Sequence, residues 1–140
     1  MLVEILNQDE ALNAWLGTQP KPPLTLAEFK RIGEAWQQKR HAVTYCIWTD
    51  RPVGTISLSH RTADGQALIG YWLASHAWGK RIATQAFARV LALARDQGIR
   101  QVSATIDNRN TASLRLWRRH GAVEEGLEDG RIRVRLVIVY

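Results

Sequence analysis

The stretch Ile69-Gly-Tyr-Trp-Leu-Ala-Ser-His-Ala-Trp-Gly-Lys-Arg-Ile-Ala-Thr-Gln-Ala-Phe87 decides the fold of this chain. It begins as an apolar strand, passes through a Gly-Lys-Arg turn and continues with the spacing of an amphipathic helix. A helix that starts directly after a strand presents unpaired backbone N–H groups and the positive end of its dipole. Lys80 and Arg81 add two cations beside those donors. The junction predicts a site for a phosphate or pyrophosphate, although an ordinary turn with solvated cations has the same local sequence.

A second junction of this kind follows, where the strand Gln101–Ile106 leads into Asp107-Asn-Arg-Asn-Thr-Ala-Ser-Leu-Arg-Leu-Trp-Arg-Arg-His-Gly-Ala-Val-Glu-Glu-Gly126. Together the two stretches resemble the Gcn5-related N-acetyltransferase (GNAT) superfamily. The motifs Ile69-Gly-Tyr-Trp-Leu and Asn110-x-x-Ser113 are most similar to the branch that acetylates N-terminal amines of ribosomal proteins and diverse small amines. The resemblance covers about half of the chain and depends on the order of strand, turn, helix, strand, Asn, helix and Gly.

The resemblance implies a fold of the α/β (α+β) class, in which a mixed, mostly antiparallel twisted sheet is flanked by helices. It also implies that acetyl-coenzyme A lies in the cleft between two splayed central strands. A chain of 140 residues suits one core, so we expect a single N-acetyltransferase domain over residues 1–140.

The other elements are predicted from apolar periodicity, turn residues and capping signals. Thr25-Leu-Ala-Glu28 has the form of a capping box, in which the hydroxyl and the carboxylate each satisfy a backbone N–H, and predicts a helix over Leu26–Lys39. Thr18-Gln-Pro-Lys-Pro-Pro23 predicts a turn or loop. The remaining predicted helices are Asp9–Leu16, Gly79–Asp96 and Thr111–His120. The predicted strands are Met1–Leu6, Ala42–Thr49, Val53–His60, Gln66–Leu73, Gln101–Ile106, Ala122–Glu125 and a last strand from Arg131.

In the family, the turn after the first strand follows the pattern Gln/Arg-x-x-Gly-x-Gly/Ala and binds the pyrophosphate of the cofactor. Aligning Ala83 with the final small residue places Trp78 at the Gln/Arg position and Arg81 at the central glycine. We expect the Trp78 indole to pack under the turn or to stack near the cofactor. We expect Arg81 to need no positive φ, because it enters a helix, and to pair with a phosphate oxygen. The alternative is that Arg81 blocks the pocket.

The resemblance implies specific roles for residues in both motifs. The backbone amide of Leu73 would bind the oxyanion that forms on the acetyl group, and Ser113 would serve the leaving thiolate, which makes these two the catalytic candidates. Asn110 and Ser113 have a second interpretation, since either residue could simply cap the helix. The cofactor-binding candidates are Leu73, Trp78, Gly79, Lys80, Arg81, Ile82, Ala83, Thr84, Asn110 and Ser113.

The acid and the base of the reaction are harder to assign. A tyrosine that many family members use as an acid falls at Trp117, whose indole donates no acidic proton. A glutamate that relatives place on the cofactor strand is Leu68 here. His60, His76 and Asp107, and more distantly Glu34, are the candidate bases, and a chain of waters would need none of them. Five aromatic residues line an acceptor channel or belong to the core, namely Tyr71, Trp72, Trp36, Trp48 and Tyr45.

The composition of the chain limits the classes of molecule that it is expected to bind. The net charge of +6 favours polyanions, including a phosphorylated cofactor, but the chain has no recognisable RNA-binding signature, so nucleic acid is not expected as a partner. The four scattered histidines and the lone Cys46 do not have the spacing of a metal site. No segment has the length and apolarity of a membrane span, and the start does not have the form of a secretory signal, so a cytoplasmic protein is expected.

The leading hypothesis is an N-acetyltransferase that moves an acetyl group from acetyl-coenzyme A to a primary amine by direct transfer. The amine is a small molecule or a protein N-terminus. The acceptor side is either unusually open or completed by a second chain, because the N-terminal segment is short, and a homodimer is one expectation. The alternative is a catalytically weak acyl-coenzyme A-binding module of the same fold, which Leu68, Arg81 and Trp117 favour.

Overall fold

A computed structural model describes residues 2–16 and 24–138 of the chain, and six strands form one sheet at its centre. In chain order the strands are β1 (Val43–Trp48), β2 (Pro52–Ser59), β3 (Gln66–Leu73), β4 (Gln101–Asp107), β5 (Val123–Glu128) and β6 (Arg131–Val137). Their spatial order is β1-β2-β3-β4-β6-β5. Neighbouring strands are antiparallel except β3 and β4, which are parallel. The predicted mixed, mostly antiparallel sheet is therefore confirmed.

Within the described residues, five α-helices and one 3₁₀ turn accompany the sheet. The helices are α1 (Leu2–Gln8), α2 (Glu10–Leu16), α3 (Leu26–Lys39), α4 (Ile82–Asp96) and α5 (Thr111–Arg119), and the 3₁₀ turn is Ser75–Ala77. The capping signal at Thr25 is confirmed in part, since its side chain accepts a hydrogen bond from the Glu28 N–H at 3.1 Å. The Glu28 carboxylate accepts a hydrogen bond from the Thr25 hydroxyl at 2.9 Å, instead of one from a backbone N–H. The turn expected at Thr18–Pro23 lies outside the described residues.

The strand predicted at Met1–Leu6 is wrong, because Leu2–Gln8 is the helix α1. The Asp9 N–H donates to the Ile5 carbonyl at 2.9 Å, so the helical pattern continues beyond its last turn. A short segment that is mostly apolar fits a strand and a helix equally well, and tertiary packing decides between them.

The core lies between the sheet and the helices α4 and α5. Phe87 on α4 and Trp117 on α5 are its largest members, and their rings meet edge to face with centroids 4.9 Å apart. Such a pair stabilises the fold by roughly 1 kcal/mol beyond the area it buries. This contact fixes α4 and α5 side by side on one face of the sheet.

The parallel pair β3–β4 is the irregular part of the sheet. Only three residue pairs join the two strands, from Gln66 with Gln101 to Leu68 with Ser103. Beyond them Ile69–Leu73 and Ala104–Asp107 run apart and line a common cavity. The predicted splayed central strands are therefore present, and they open under the starts of α4 and α5.

Candidate functional site

A cavity of about 850 Å³ fills the space between the diverging strands. Its walls come from the end of β3, the turn that follows, the start of α4, the end of β4, and α5. Lys80 is exposed and is not among the lining residues. The other predicted cofactor-binding residues line the cavity, namely Leu73, Trp78, Gly79, Arg81, Ile82, Ala83, Thr84, Asn110 and Ser113.

The turn into α4 has a left-handed backbone at two positions, Gly79 with φ +73° and Arg81 with φ +61°. The expectation that Arg81 needs no positive φ is wrong, since Arg81 is the N-cap of α4 and has a left-handed backbone. A residue with a Cβ pays about 1–2 kcal/mol for this conformation. A Cβ built on Gly79 would meet no atom within 4 Å, so the surface of the turn is open there.

The start of α4 keeps its backbone donors free of side-chain caps. α4 begins at Ile82, three residues later than the predicted Gly79, and no described side chain caps it. Its first hydrogen bond runs from the Gln85 N–H to the Arg81 carbonyl at 3.2 Å. The N–H groups before Gln85 have no intrahelical partner, and Ile82–Thr84, which carry three of them, line the cavity. An anion placed there would meet oriented donors and the positive end of the helix dipole.

The Leu73 N–H points toward the cleft. Beyond β3, the Ala74 N–H donates to the Val53 carbonyl at 2.7 Å, toward β2. Peptide groups alternate sides along a strand, so those of Leu73 face away from β2. The β4 ladder has already ended at Leu68, which leaves this side of Leu73 without a strand partner.

Trp78 closes the turn against the end of β3. Its indole N–H donates to the Leu73 carbonyl at 3.0 Å, while 42% of the residue stays exposed. Gly54 supports the same segment from β2, where it pairs with Leu73. A Cβ on Gly54 would lie inside contact distance of the Trp72 carbonyl, so only glycine permits the two strands to approach so closely.

At the entrance of α5, Asn110 acts as a cap. Its side-chain oxygen accepts a hydrogen bond from the Ser113 N–H at 3.1 Å, which confirms the capping interpretation for Asn110. The cap uses neither the amide protons of Asn110 nor the hydroxyl of Ser113. Ser113 is only 4% exposed, yet it lines the cavity. Both groups are therefore available to a ligand.

Tyr71 shares this wall, and its role in the site was left open by the sequence. Tyr71 and Leu73 lie on the same face of β3, and Tyr71 lines the cavity. Burial raises the pKa of the Tyr71 phenol, and the Ser113 side chain opposes that rise in part. The phenol is therefore protonated at neutral pH.

Arginines dominate the charge of the cavity lining. They are Arg81, Arg109, Arg115 and Arg119. The Arg109 guanidinium is bound to both oxygens of Asp107, at 3.1 and 2.9 Å. Hydrogen bonds from the Arg109 side chain and N–H lower the Asp107 pKa to about 2. Arg115 and Arg119 are one helical turn apart on α5, and this spacing is the sequence signal that they share one wall.

The candidate bases are not gathered at the cavity. Asp107 lines it, but its low pKa makes it a weak base. His60 lies against the Trp36 ring, with centroids 5.8 Å apart, and does not line the cavity. His76 and Glu34 are exposed and are not lining residues either. In the part of the chain that the structure describes, none of the four is a poised base.

Asp9 ties the N-terminal helices to the site. Its carboxylate accepts hydrogen bonds from the Ser75 N–H at 2.7 Å, the Ser75 hydroxyl at 2.8 Å and the Leu12 N–H at 3.0 Å. Burial raises the Asp9 pKa. These hydrogen bonds and the electrostatic effect of nearby His76 together lower the pKa by more than burial raises it, so the net shift is downward. Leu12, 2% exposed, lines the cavity, so Asp9 holds a cavity wall against the exit of β3.

Two structural features of the described residues bear on partners. Over 2–16 and 24–138, no helix combines the length and apolarity that crossing a membrane requires. Over the same ranges, no three His, Cys, Asp or Glu side chains are grouped closely enough to hold a metal ion.

Comparison with protein-family models identifies one family. The family model described as "Acetyltransferase (GNAT) domain" matches residues 1–123. No curated protein sequence gives a significant match. Spermidine N-acetyltransferase from Vibrio cholerae, solved with CoA and spermine, has a TM-score of 0.77 at 15% identity, covering 95% of this chain and 86% of that one.

Two further solved structures are similar to the chain. Mycobacterium smegmatis RimJ in complex with CoA-disulfide has a TM-score of 0.74 at 24% identity, over 98% of this chain and 78% of that one. The microcin C7 self-immunity acetyltransferase MccE, in complex with acetyl-CoA and AMP, has a TM-score of 0.78 at 21% identity, over 98% and 85%. At these identities the similarity establishes the fold.

Proposed function

Because this chain belongs to the GNAT acetyltransferase family, we propose that it is an N-acetyltransferase that moves an acetyl group from acetyl-coenzyme A to a primary amine by direct transfer. The observation that carries the proposal is the cavity between β3 and β4. It brings the free Leu73 N–H, the uncapped start of α4 and four arginines into one space.

The residues present fit the donor substrate. Coenzyme A carries several phosphate charges, and Arg81, Arg109, Arg115 and Arg119 supply guanidinium groups suited to them. The N–H groups of Ile82–Thr84 would hold the pyrophosphate, because an anion at a helix start meets both donors and dipole. The volume of about 850 Å³ is within the range of small-molecule sites. Three relatives of the same fold were solved with CoA or acetyl-CoA, which supports the same ligand here.

Two steps of the transfer have a group on this chain to serve them. Acetyl-coenzyme A supplies an activated thioester, whose carbonyl oxygen becomes negative when an amine attacks. The Leu73 N–H is the donor for that oxygen, and one such donor typically lowers the barrier by ~3 kcal/mol. The Ser113 hydroxyl serves the sulfur that leaves. Water carries away the amine proton, because none of the four candidate bases is poised to accept it.

The charge of the cavity favours an acceptor with a single amino group. Asp107 is already bound to Arg109, so the lining offers no free carboxylate among the described residues to hold a second ammonium ion. A small primary amine or a protein N-terminus with few cations is the better acceptor.

The second candidate function is an acyl-coenzyme A-binding module with little turnover. The lack of a poised base in the described chain supports it, and so does Trp117, which is 1% exposed and belongs to the core. Both functions share the donor site. They differ only in whether bound thioester reacts.

Titration and turnover separate the two functions. Calorimetry with coenzyme A and with acetyl-coenzyme A measures binding, and thiol release is then followed with small primary amines, a polyamine and a peptide with a free N-terminus. N-acetylated forms of the same amines serve as controls. An N-acetyltransferase binds both ligands and releases thiol only with a free amine. Binding without amine-dependent release supports the module, and no binding heat contradicts both.

A further inference from the structure

The two edge strands of the sheet, β1 and β5, differ in how they are protected. β5 is interrupted by a register shift between Glu124 and Leu127, and two of its glutamates form ion pairs with arginines of α5 and β6. A bulge and charged side chains keep an edge strand from pairing with another chain. β1 has no charged residue and no proline, and its register shift is confined to the end next to the hairpin turn, between Ile47 and Trp48. The edge at β1 is therefore open to a further strand.

The peptide groups of Thr44 and Cys46 face this open edge. The Ala74 N–H donates to the Val53 carbonyl at 2.7 Å, so the odd-numbered residues of β2 bond toward β3. Peptide groups alternate sides along a strand, so the even-numbered residues of β2 bond to β1, where their partners are odd-numbered. Thr44 and Cys46 then direct their N–H and C=O groups away from β2. Both residues are exposed, and no described strand lies on that side.

Opposite charges flank the two ends of β1. Arg40 precedes the strand and Asp50 follows it, and both residues are exposed. The ion pairs among the described residues involve neither of them. An antiparallel pair of β1 strands from two copies brings Arg40 of each copy beside Asp50 of the other. Lys39 and Arg51 are their neighbours in sequence and add positive charge, so these exposed pairs select the register more than they strengthen the contact.

The same register suits the rest of the strand. Arg40 and Asp50 both lie five positions from Tyr45, so pairing them places Tyr45 opposite its own copy on a twofold axis. Thr44 then lies opposite Cys46 of the second copy, and their outward N–H and C=O groups exchange hydrogen bonds on both sides of the axis. The net charge of +6 opposes association of two copies, and an uncharged strand is where they approach with little repulsion.

We propose that β1 is a dimerisation edge, at which two copies of this chain pair antiparallel about a twofold axis at Tyr45 and join their sheets into one. No residue of β1 lines the cavity, so this surface is distinct from the acceptor side, on which the sequence-based expectation of a homodimer rested. The dimer is independent of the proposed function. A protein that fails to bind coenzyme A can still form it, and a monomer can still bind coenzyme A.

The test compares Thr44→Pro with Thr44→Val by analytical ultracentrifugation over a concentration series. Proline removes the outward N–H and its ring obstructs a second strand, but it is tolerated at an edge because that N–H makes no bond to β2. Valine keeps the N–H and the branched shape. We expect a wild-type dimer, a Kd at least roughly tenfold higher for Thr44→Pro, and an unchanged Kd for Thr44→Val. A wild-type protein that stays monomeric, or a Thr44→Pro dimer as tight as wild type, overturns the proposal.

Charge reversal tests the register without altering the backbone. Arg40→Glu and Asp50→Lys should each raise the dimer Kd several-fold, because each variant places like charges opposite one another, and the double variant should return it close to wild type. Arg40→Glu also lowers the net positive charge, which by itself would favour association. Arg31→Glu, an equal change at an exposed residue of α3, is the control. A double variant that is no tighter than either single variant refutes the register.

A cross-link decides the matter if Thr44→Pro does not fold. Thr44→Cys places a thiol opposite Cys46 of the second copy, at a Cα separation of about 5.5 Å that a disulfide spans. After mild oxidation with diamide, Thr44→Cys should run as a covalent dimer on a non-reducing gel. Thr44→Cys combined with Cys46→Ser should stay monomeric there, because each new thiol then faces a serine. Equal cross-linking in the two variants, or none in Thr44→Cys, refutes the paired edge.

Discussion

The indole N–H of Trp78 donates a hydrogen bond to the carbonyl oxygen of Leu73 over 3.0 Å, joining the phosphate-type turn to the strand residue proposed to bind the oxyanion. This hydrogen bond links residues five positions apart and holds the turn against the cleft. Trp78 therefore positions the strand end through its indole N–H, where the family pattern has a polar Gln or Arg.

Trp78→Phe should loosen this junction. The loss of one partly buried hydrogen bond should lower the free energy of unfolding by about 1 kcal/mol. Coenzyme A affinity should fall several-fold, because the Leu73 segment is no longer held against the turn. Chemical denaturation and calorimetry measure the two effects. Trp48→Phe, at an edge-strand residue that is 60% exposed, is the control, and equal behaviour of the two variants would contradict the role of the bond.

Gly79→Asp should weaken coenzyme A binding severely. The side chain would project into open space beside the start of α4, where it would place a carboxylate against the phosphates. Gly79→Asn is the matched control, since both side chains tolerate the left-handed backbone and only the charge differs. We expect the Asp variant to bind at least tenfold more weakly than the Asn variant by calorimetry. Similar affinities would count against a phosphate site at this turn.

Arg81→Gly should separate strain from charge. Glycine adopts the observed φ of +61° without the cost of a Cβ, so the free energy of unfolding should rise by about 1 kcal/mol despite the greater entropy of the unfolded chain. Coenzyme A affinity should fall, because a guanidinium beside the phosphates is lost. Arg81→Ala loses the charge and keeps the strain. If Gly and Ala variants are equally stable in thermal and urea unfolding, the strain argument is wrong.

Gly54→Ala should disturb the strand behind Leu73. The new Cβ would overlap the Trp72 carbonyl, and the rearrangement should cost about 1–3 kcal/mol of stability. Thiol release should fall as well, because the Leu73 amide moves with its strand. Gly33→Ala in α3 is the control, since its Cβ meets no atom within 4 Å and alanine favours a helix by roughly 0.5–1 kcal/mol. A Gly54→Ala protein as stable as wild type would remove the close-approach argument.

Asp9 should make the fold sensitive to acid. Its pKa is lowered in the folded protein, so its stabilising contribution is complete above the ordinary pKa of 3.8 and is lost as pH falls through the lower folded value. Unfolding by urea at a series of pH values should show that Asp9→Asn loses less stability than wild type below about pH 4. Asp96→Asn, on an exposed part of α4, is the control. Parallel pH curves for wild type and Asp9→Asn would refute the assignment.

The elements next to strong local signals could be predicted from the sequence. β3 and α3 match their predicted bounds, because alternating apolar residues and a capping threonine act over a few residues. The cleft was implied by the family resemblance, which the two strand-to-helix junctions carry. Asn110 as a cap is also local, since it accepts from an N–H three residues later.

What the sequence could not predict depends on long-range packing. α1 looks like a strand, because seven residues are too few to show a helical period clearly. The left-handed conformation of Arg81 is imposed by the turn on a residue that does not favour it. Tyr71 and Ser113 lie on two separate elements and line one cavity, which no spacing rule reveals.

The β3–β4 ladder is short and divides the sheet into two halves of three strands each. One half is β1-β2-β3 and the other is β4-β6-β5, and the three residue pairs from Gln66 to Leu68 join them. A ligand that forms hydrogen bonds with both halves takes the place of the β3–β4 hydrogen bonds that are missing and holds the two halves together. Occupancy of the cleft should therefore raise the melting temperature, and amide hydrogen exchange should slow along the whole of β3 and β4 rather than only at contact residues.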